Sequence, residues 1–303
     1  MDVLCVGHAA WDISALVDEY PAENSKCETR TLLECGGGPA ANAAWLLSSW
    51  GISCALSATI GRDVYADRII DEFVRVGADV SLVHRSPLDP TAVSVILVNE
   101  RTASRTIVNR KAATASSPVR LAAGGAWAEP PKVLLFDGHG LDASLDAMAL
   151  YPNARTILDA GSARPGAVEL ARRVDHLVAS ERFACQLSGL PGLDAHPQQA
   201  AAMRKLHEHN GRPVVITLGE RGLLWGTGDH YQLMRAFKVR AVDTTAAGDV
   251  FHGAFAYGML KELPIETALR LAAAAAALST TVPGGRTSIP PLLQVQEFLA
   301  HAE

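Results

Sequence analysis

The chain has 303 residues, of which 49% are hydrophobic and 19% are charged, and this composition excludes a disordered or collagen-like protein. With 27 Lys and Arg against 32 Asp and Glu, the formal net charge is −5, so the broad basic surface of a nucleic-acid-binding protein is not expected. The length favours one large α/β domain, or one such domain with a small appendage, with a sizeable buried core.

Short apolar runs alternate with helical patterns along the chain. Strands are predicted, in order, at Val3–Val6, Ile52–Ile60, Lys132–Phe136, Thr156–Leu158, His176–Ala179 and Val214–Leu218. Helices are predicted between them; Ala40–Trp50 is followed by Gly51 and Tyr65–Val76 by Gly77, and glycine is the residue that most often follows a helix. Alternation of strands and helices at roughly 20–40 residue spacing predicts a parallel sheet with helices on both faces.

Two β-rich insertions interrupt this alternation. Thr91–Val98 and Ser104–Arg110 flank a polar turn and predict a hairpin, while Ile13–Val17 and Cys27–Leu33 are also extended in character. Together these four segments predict a small second sheet. The small and polar segment Ala112–Gly125, which follows the hairpin, is predicted to be an exposed loop.

The N-terminus and the cysteines bear on location. The first residues read as a strand that enters a turn, and they lack the basic stretch of a signal peptide. No strongly apolar run reaches about 18 residues, so a transmembrane helix is not predicted. The cysteines are odd in number and lack a Cys-x-x-Cys pair, which favours reduced thiols over disulfides or a zinc site. A cytoplasmic protein with no membrane or nucleic-acid partner is therefore expected.

Polar residues follow several of the predicted strands. In open parallel sheets, ligands bind beyond the carboxyl ends of the strands. Such residues stand at Gly7-His8, Asp137–Gly140, Asp159–Gly161, Ser180-Glu181 and Gly219–Gly222. The pattern predicts a ligand site at this edge of the sheet, although any single residue of this kind could also be a helix cap or part of a turn.

The most informative segment spans residues 242–254. Small residues at Ala246, Ala247 and Gly248 lead into a helix that is apolar on nearly all sides, which predicts a buried helix. Its N-terminus presents free N–H groups and the positive end of the helix dipole, and the small side chains let an anion approach them. This predicts an anion hole for a phosphoryl group, with Asp249 in the first turn as the base that accepts a proton from an attacking hydroxyl. An ordinary helix cap would explain Asp249 alone but not the whole segment.

A second segment, Gly36–Ala44, begins with three consecutive glycines. They allow the backbone to pass close to a ligand, and Pro39 suits the first position of a helix. Asn42 lies in the first turn of that helix and offers an amide to a hydroxyl-rich ligand. The spacing also fits a weak Gly-x-Gly-x-x-Ala dinucleotide fingerprint with Asp63 beyond it, so a dehydrogenase is an alternative.

The turn that follows the strand Val214–Leu218 is a candidate phosphate site. Thr217 and the glycines at positions 219 and 222 are able to hold a nucleotide phosphate, and a plain turn would look similar. The chain has no Gly-Lys pair, which excludes a Walker A loop, and no Gly-x-Ser-x-Gly elbow, which disfavours an α/β-hydrolase. The segment His207–His209 is interpreted as a solvated helix end, with metal binding as the alternative.

In the order of these motifs and in their residues, the chain resembles the ribokinase-like carbohydrate kinases of the PfkB family over nearly its whole length. The matching features are a first strand followed by Asp12, the glycine-rich segment with Asn42, the Thr-x-Gly-x-x-Gly turn, and the segment from Asp243 to Asp249. Ala246 replaces the glycine often found in that last segment. The resemblance implies a doubly wound, mostly parallel α/β core with a small inserted β-sheet lid. The core would comprise residues 1–10, 34–90 and 113–303, and the lid residues 11–33 and 91–112.

The resemblance also implies ATP-dependent phosphorylation of a sugar hydroxyl. Asp249 would be the base, and the N–H groups of residues 246–248 would stabilise the transferred group. The implied sugar-binding residues are Asp12, Lys26, Gly37, Gly38, Asn42, Asn109 and His139. The implied nucleotide-binding residues are Ser180, Thr217, Gly219, Gly222 and Gly285. Magnesium is expected with ATP, a monovalent cation such as potassium would bind at Asp243 and Thr245, and paired lids would form a homodimer.

Four segments are similar to one branch of the family, the sulfofructose kinases. They are Gly36–Ala41, Ala236–Val239, Asp249–Ala254 and Pro283–Arg286. Lys26 and Asn109 match side chains that bind sulfonate in that branch, whereas His139 stands where the branch has an arginine and cannot form a bidentate contact. A ketose, a sulfofructose-like sugar and a sugar acid all stay open as substrates.

One family motif is altered. The motif Asn-x-x-Glu, whose acid acts through water on magnesium, here spans Ser180–Phe183, and Phe183 cannot replace that acid. Glu181 is the carboxylate that could substitute for it. Two alternatives stay open: a nucleoside kinase of the same fold, in which Trp11 would stack on a base, and a non-catalytic protein that senses a sugar or nucleotide, which the altered motif favours.

Overall fold

The computed structural model describes residues 1–110, 127 and 129–302. Its strands are, in chain order, β1 Val3–Val6, β2 Ala10–Val17, β3 Leu32–Gly37, β4 Cys54–Ser57, β5 Thr59–Ile60, β6 His84–Arg85, β7 Ala92–Asn99, β8 Arg105–Arg110, β9 Val133–Phe136, β10 Arg155–Ala160, β11 His176–Ser180, β12 Val214–Thr217, β13 Leu223–Thr227 and β14 His230–Met234. Its α-helices are α1 Pro39–Ser49, α2 Val64–Arg75, α3 Leu141–Leu150, α4 Pro165–Ala171, α5 Glu181–Ser188, α6 His196–Asn210, α7 Ala247–Leu260, α8 Ile265–Ser279 and α9 Leu292–His301. The loop predicted at Ala112–Gly125 lies outside the described residues.

The main sheet in the described part of the chain has eight strands in the order β14-β13-β12-β11-β10-β9-β1-β4. From β12 to β4 all neighbours are parallel, and β13 and β14 add an antiparallel edge. The parallel strands bring their carboxyl ends to one edge of the sheet, where ligands bind in folds of this class. The predicted doubly wound, mostly parallel α/β fold is confirmed.

Helices cover both faces of the main sheet. Successive side chains of a strand point to opposite faces. Val3 and Cys5 of β1 therefore pack with α1, α2 and α7–α9, whereas Leu4 and Val6 pack with α3–α6. All four side chains are buried, the pattern of a parallel strand that is covered on both faces. None of the helices in the described ranges has the length and apolar character needed to cross a membrane.

A separate small sheet has the strand order β3-β2-β7-β8. The predicted hairpin is confirmed as the antiparallel pair β7 and β8. The strand expected at Cys27–Leu33 is wrong, because β3 begins only at Leu32 and runs to Gly37. The physical reason is the length of β2, which ends at Val17: in the register that puts Ala10 opposite Gly37 and Ala15 opposite Leu32, residues 27–29 have no strand to pair with. The carbonyl of Thr31 still accepts the amide of Leu16 at 3.2 Å.

The other predicted segments lie where expected, but their ends are shifted by up to three residues: β2, expected from Ile13, begins at Ala10, and β10, expected over Thr156–Leu158, spans Arg155–Ala160. One predicted strand is also divided. The strand expected over Ile52–Ile60 is divided into β4 and β5, because β5 leaves the main sheet and pairs with β6. The helices α1 and α2 end as predicted, where Gly51 and Gly77 adopt φ values of 78° and 71°. Glycine adopts this left-handed conformation without strain, which is why it terminates helices.

Candidate active site

The N-terminus of α7 lies beside the carboxyl end of β10 and has free space in front of it. Ala246 caps the helix with φ 60°, a left-handed conformation that is strained for a residue with a Cβ and that clusters at functional sites. A Cβ on Gly248 would meet no atom within 4 Å. The positive end of the α7 dipole therefore faces a space that fits an anion.

Asp249 lies in the first turn of α7 and is half-buried. Its Oδ2 accepts a hydrogen bond from Nδ2 of Asn42 at 2.7 Å. Burial raises the pKa of Asp249 to about 7, the charge of Asp159 adds to this rise, and the hydrogen bond from Asn42 opposes it. A carboxyl group with a pKa near neutrality is suited to accept and release a proton at physiological pH.

Asp159, at the end of β10, is a second carboxylate in this part of the site. It is buried, and its Oδ2 lies 3.2 Å from Nδ1 of His252, which is on α7 one turn after Asp249. Burial and then the charge of Asp137 raise the pKa of Asp159 to about 7. Asp159 and Asp249 resist ionising together because both are carboxylates, so the two share a proton near neutral pH. The sequence had marked Asp159 only as a polar residue after a strand.

Asp137, at the end of β9, fixes the start of α1. Its Oδ2 accepts hydrogen bonds from the amides of His8 at 2.7 Å and Ala40 at 3.1 Å, and its Oδ1 accepts one from the amide of His139 at 2.9 Å. Burial by itself would raise the pKa of Asp137, but His139 and these amides hold the pKa well below its ordinary value. Because this carboxylate occupies the N-terminus of α1, a dinucleotide pyrophosphate has no place there, which disfavours the dehydrogenase alternative.

Basic side chains gather beside Asp137. The rings of His8 and His139 stack with their centroids 4.7 Å apart, and Nε2 of His139 contacts a guanidinium nitrogen of Arg164. His8, His139 and Arg164 follow β1, β9 and β10, and together they form a cluster that we name the basic corner. The sequence had predicted His139 as a substrate-binding residue, but it gave no sign that Arg164 reaches it.

The glycine-rich segment packs closely against charged side chains. A Cβ on Gly36 would overlap the guanidinium of Arg286, and a Cβ on Gly37 would overlap the carboxylate of Asp12. Gly38 has φ 95°, and the carbonyl of His8 lies against it, so no side chain fits there. Burial raises the pKa of Asp12, against the lowering effect of its hydrogen bond with a neighbouring serine. The structure thus brings Asp12 and Gly37, two predicted sugar-binding residues, into contact.

Asn42 connects the glycine-rich segment to α7. Its Nδ2 donates to Asp249, and its Oδ1 accepts a hydrogen bond from Nε of Arg286 at 3.3 Å. Nη1 of Arg286 in turn lies 2.6 Å from Oε2 of Glu72 on α2. This pair was not predicted: Arg286 ends the segment Pro283–Arg286, which carries a family resemblance, but nothing in the sequence marks Glu72.

One row of the small sheet places Asn109 on the same face as Asp12. Asn109 on β8 is in register with Ser94 on β7, and Ser94 is in register with Asp12 on β2. Residues in register on neighbouring strands point to the same face of a sheet. Asn109 therefore shares a face with Asp12. Lys26 lies exposed in the loop of residues 18–31 between β2 and β3, so the structure leaves it outside this row.

Arg105, at the start of β8, reaches from the small sheet to the anion hole. It is on the same face as Asn109, four residues away, and its Nη1 donates to Oγ1 of Thr244 at 2.8 Å. Thr244 also donates to the carbonyl of Ala103 at 3.2 Å. The guanidinium is close enough to Asp249 to lower the pKa of that carboxyl group, against the larger effect of burial. Arg105 was not predicted from the sequence, because only the fold places β8 against the segment before α7.

The predicted nucleotide-binding residues lie mainly at the ends of two neighbouring strands. Ser180 ends β11 and Thr217 ends β12, and the two residues are in register. Gly219 and Gly222 follow in a tight turn with φ values of 59° and 98°. Gly285 lies elsewhere: a Cβ there would be 3.8 Å from Oδ2 of Asp12, which is one of the predicted sugar-binding residues. Its nucleotide role stays a prediction.

Glu181 has partners that compete with its predicted magnesium role. Its Oε2 pairs with Nη2 of Arg221, and its Oε1 accepts the amide of Leu193 at 3.1 Å. A water-mediated magnesium role for Glu181 requires that ion pair to open, and it stays a prediction. Over the described ranges, no group of three or more His, Cys, Asp or Glu side chains is arranged to hold a metal. The rings of His207 and His209 instead contact backbone carbonyls, each at 2.9 Å.

Asp243 is fully buried and ties two backbone segments together. Its Oδ1 accepts hydrogen bonds from the amide and hydroxyl of Thr245 at 2.8 and 2.7 Å, and its Oδ2 accepts the amide of Gly284 at 2.8 Å. These contacts hold the segment before α7 against residues 284–286. Binding of a monovalent cation at Asp243 and Thr245 stays a prediction.

Comparisons with known proteins agree with this geometry. The model of the pfkB family of carbohydrate kinases matches residues 1–292. A deoxyribokinase of Salmonella typhi is 26% identical over 307 aligned positions, which cover 99% of each chain. A solved ribokinase from Thermotoga maritima has a TM-score of 0.83 and 28% identity, with 99% of each chain covered. An Arabidopsis thaliana ribokinase, solved with ribose and ATP, shares the fold with a TM-score of 0.80 at 24% identity, again over 99% of each chain.

Proposed function

The chain belongs to the pfkB family of carbohydrate kinases, phosphotransferases that act on a sugar hydroxyl, and we propose that it transfers the γ-phosphoryl group of ATP to a ketose or a related sugar. The observation that carries this proposal is the open N-terminus of α7 with Asp249 in its first turn. A helix N-terminus that fits an anion and a proton acceptor in the same turn suit the transfer of a phosphoryl group to an alcohol.

The strand order supports the placement of the two substrates. Along the carboxyl edge, Thr217 ends β12, Ser180 ends β11, Asp159 follows near the end of β10, and Asp137 follows β9. The three strand spacings from β12 to β9 span about 14 Å. A nucleotide held at the Thr217 turn would therefore extend its phosphates along this edge toward α7, with the sugar on the far side near Asp12.

In the proposed mechanism, Asp249 accepts the proton of the attacking hydroxyl as its oxygen bonds to the γ-phosphorus and ADP leaves. The amides of residues 246–248 stabilise the charge on the transferred group at the positive end of α7. Asp12 and Asn42 hold and orient the sugar hydroxyls, so the reaction depends mainly on positioning. Magnesium bound with ATP would neutralise charge on the phosphates. The small sheet acts as a lid that excludes water and suppresses ATP hydrolysis.

The pH dependence follows from the raised pKa of Asp249. Only the ionised carboxylate accepts a proton, and its pKa is about 7, so kcat/KM is expected to fall as the pH drops through 7. Initial rates measured from about pH 5 to 9 would show this limb. In Asn42→Ala the limb should move to higher pH, because the hydrogen bond from Asn42 lowers the pKa of Asp249. A rate that stays flat down to about pH 5 would contradict a base of this kind.

Replacing Arg105 with Ala is expected to lower kcat roughly 10-fold, because the guanidinium at the mouth of the anion hole balances charge on the transferred group. The matched control is Arg101→Ala in the turn between β7 and β8, where the arginine pairs with Glu19 at 2.8 Å and both side chains are exposed. Turnover of the control should stay within about twofold of wild type, the usual range for exposed pairs. Equal turnover of the two variants would remove Arg105 from the proposed site.

The substrate is to be found by a coupled ADP-release screen over ribose, deoxyribose, fructose, sulfonated ketoses, sugar acids and nucleosides. The basic corner of His8, His139 and Arg164 supports a sugar that carries an anionic group, so sulfonated or acidic sugars are expected to outperform their neutral analogues. Faster turnover of neutral sugars would contradict this preference. ATP consumption with none of the compounds would favour the sensing alternative.

The nucleoside-kinase alternative loses its aromatic residue. Trp11 is 5% exposed, stacks on Tyr65 and donates its Nε1 to Glu34 at 3.0 Å. Because it neighbours Asp12 on the same strand, its side chain points to the opposite face of the small sheet. Trp11 therefore packs against α2 and is not placed to stack on a base beside Asp12.

We also propose a homodimer formed through the small sheet, and a cytoplasmic location. Val95 and Val108 are in register on the face away from Asp12 and are 47% and 69% exposed. Val108 is on the edge strand β8, and a second copy of the chain would cover both this edge and the two valines. The cysteines are free thiols, as suits a reducing compartment. Sedimentation of wild type against Val108→Lys tests the dimer, since a charge at that face should shift the equilibrium to monomer.

A further inference from the structure

A buried arginine lies behind the proposed base. We propose that Arg286 is a positioning residue, which orients the side-chain amide of Asn42 so that its N–H donates to Asp249. The inference rests on the proposed function only where it takes Asp249 as the base. The orientation of the amide is a property of the chain, and it can be measured without any substrate.

The chemistry of the three groups allows one orientation. A side-chain amide presents an acceptor oxygen and a donor nitrogen, and a half-turn exchanges their positions. The guanidinium of Arg286 carries donors only and stays protonated, so the Asn42 oxygen must face its Nε, 3.3 Å away. The amide nitrogen then faces Oδ2 of Asp249 at 2.7 Å, where an ionised carboxylate accepts. Among the residues that the structure describes, Arg286 is the donor recorded on that oxygen, so its loss would remove the contact that fixes the amide.

The guanidinium is itself fixed on several sides. Its side chain is 2% exposed, its Nη1 lies 2.6 Å from Oε2 of Glu72, and its Cζ lies 4.8 Å above the ring of Phe73. Glu72 also accepts the amide of Gly36, at 3.0 Å from Oε2. A Cβ on Gly36 would overlap Nη1, so the first glycine of the segment makes room for the arginine. These contacts hold Nε within a narrow range of positions beside Asn42.

A purely stabilising role does not account for Arg286. Buried ion pairs often contribute little to stability, because the cost of removing both charges from water offsets their attraction. In the described part of the chain, Nη2 of Arg286 is also buried without a hydrogen-bond partner, a further cost. Uncharged side chains of similar volume in place of both Arg286 and Glu72 would fill the space without either cost, but they would not orient Asn42.

The orientation affects the proton affinity of Asp249. Donation from Asn42 favours the ionised carboxylate, against burial and the charge of Asp159 on β10, which favour the neutral acid. His252 on α7 and Arg105 on β8 are the other groups that favour ionisation. Loss of the arginine would leave the amide free to turn, so Asp249 would stay protonated to a higher pH.

The test follows the Asn42 side-chain amide by ¹H–¹⁵N NMR of the whole chain, with the signal assigned by its loss in Asn42→Ala. In wild type this signal should shift with pH as Asp249 titrates, and the shift should vanish in Asp249→Asn. In Arg286→Met the midpoint of the shift should move to higher pH, and the amide protons should exchange faster with water. An unchanged midpoint and an unchanged exchange rate would overturn the proposal.

Two further variants separate orientation from charge. Arg286→Lys keeps the positive charge and a partner for Glu72, but a methylene replaces the Nε–H, so it should behave like Arg286→Met unless the ammonium, which also carries donors only, reaches the Asn42 oxygen and keeps both the midpoint and the exchange rate of wild type. A wild-type midpoint with faster exchange of the amide protons would show that charge alone matters and would overturn the proposal. The control Arg155→Met removes an arginine that pairs with Glu262 at 3.4 Å. Arg155 begins β10, at the opposite end of that strand from Asp159, so this variant should leave the signal unchanged. If Arg286→Met does not fold, the same measurement is made on the double variant with Glu72→Gln, which has no unpaired buried charge.

Kinetics give an independent readout once a sugar is identified. At pH values below the pKa of Asp249, Arg286→Met should lower kcat/KM roughly 10-fold, because a rise of one unit in that pKa lowers the ionised fraction about 10-fold. In an Asn42→Ala background the same change should have little further effect, because the arginine acts through Asn42. Equal losses in both backgrounds would indicate a general structural role. If the NMR result holds while no sugar is phosphorylated, the proposed function fails and the orientation stands.

Discussion

Asp249→Asn is expected to lower kcat at least about 100-fold, the low end for removal of a general base, while ATP still binds. The substitution keeps the shape of the side chain, and its oxygen can still accept from Asn42, so the first turn of α7 should not move. Stopped-time assays of ADP release at saturating sugar and ATP measure kcat, and ATP binding is measured by calorimetry.

The control for this variant is Asp142→Asn. Asp142 is an exposed aspartate in the first turn of α3, which begins at the same edge of the main sheet as α7. The control removes a carboxylate from a helix N-terminus with the same chemistry and should leave kcat within about twofold of wild type. Near-normal turnover of Asp249→Asn would refute the assignment of this residue as the base.

Stability offers a check that Asp249→Asn is folded. The pKa of Asp249 is about 7 in the fold against an ordinary value of 3.8, so the fold favours the neutral acid. The folded chain binds more protons than the unfolded chain between these values, and the stability contributed by this group falls as the pH rises through that range. The Asn variant has no such charge to bury. Its Tm at pH 8, about one unit above the folded pKa, should therefore be no lower than that of wild type.

The second large effect is expected at Asp12. Asp12→Asn should raise the KM for the sugar roughly 10- to 100-fold with little change in kcat, because it removes charged hydrogen bonds to sugar hydroxyls and leaves the reacting atoms in place. Asp12 lies against Gly37 and is 7% exposed, so a ligand there would be largely shielded from water. Initial rates over a sugar series at fixed ATP separate KM from kcat.

Glu34→Gln is the matched control for Asp12→Asn. Glu34 is on the neighbouring strand β3, and its exposed carboxylate pairs with Arg68 at 2.6 Å. Loss of an exposed pair changes stability little and should not change KM. If Asp12→Asn leaves KM at its wild-type value, or lowers kcat instead, the sugar does not bind where we place it.

Sequence patterns reached furthest where the cause of a structure is local. The apolar character of α7 predicted its burial, and the three small residues at its N-terminus, Ala246, Ala247 and Gly248, predicted the exposed helix end where we propose that an anion binds. Glycines at positions 51 and 77 predicted the ends of α1 and α2, since the left-handed turn needs no partner elsewhere in the chain. Runs of apolar residues predicted the central strands, because a strand covered on both faces must be apolar throughout.

The register of the strands and the pairing of distant residues could not be predicted from the sequence. The strand expected at Cys27–Leu33 was misplaced because both this segment and the true β3 have extended character, and only the pairing of Gly37 with Ala10 selects one of them. Phe183 could be excluded as an acid from its residue type alone. That Glu181 already pairs with Arg221 depends on a turn forty residues later in the chain.

The amino-acid sequence by itself determined the class of fold and singled out the segment at which we propose that a phosphoryl group is transferred, because both predictions follow from periodicity and from residue types that are close together in the chain. Tertiary structure alone decided which distant charges meet Asp249. Asp159, Arg105 and, through Asn42, Arg286 come from separate elements. Electrostatic effects fall with distance in space and not with separation along the chain, so the proton affinity of the site was set only when these elements packed together.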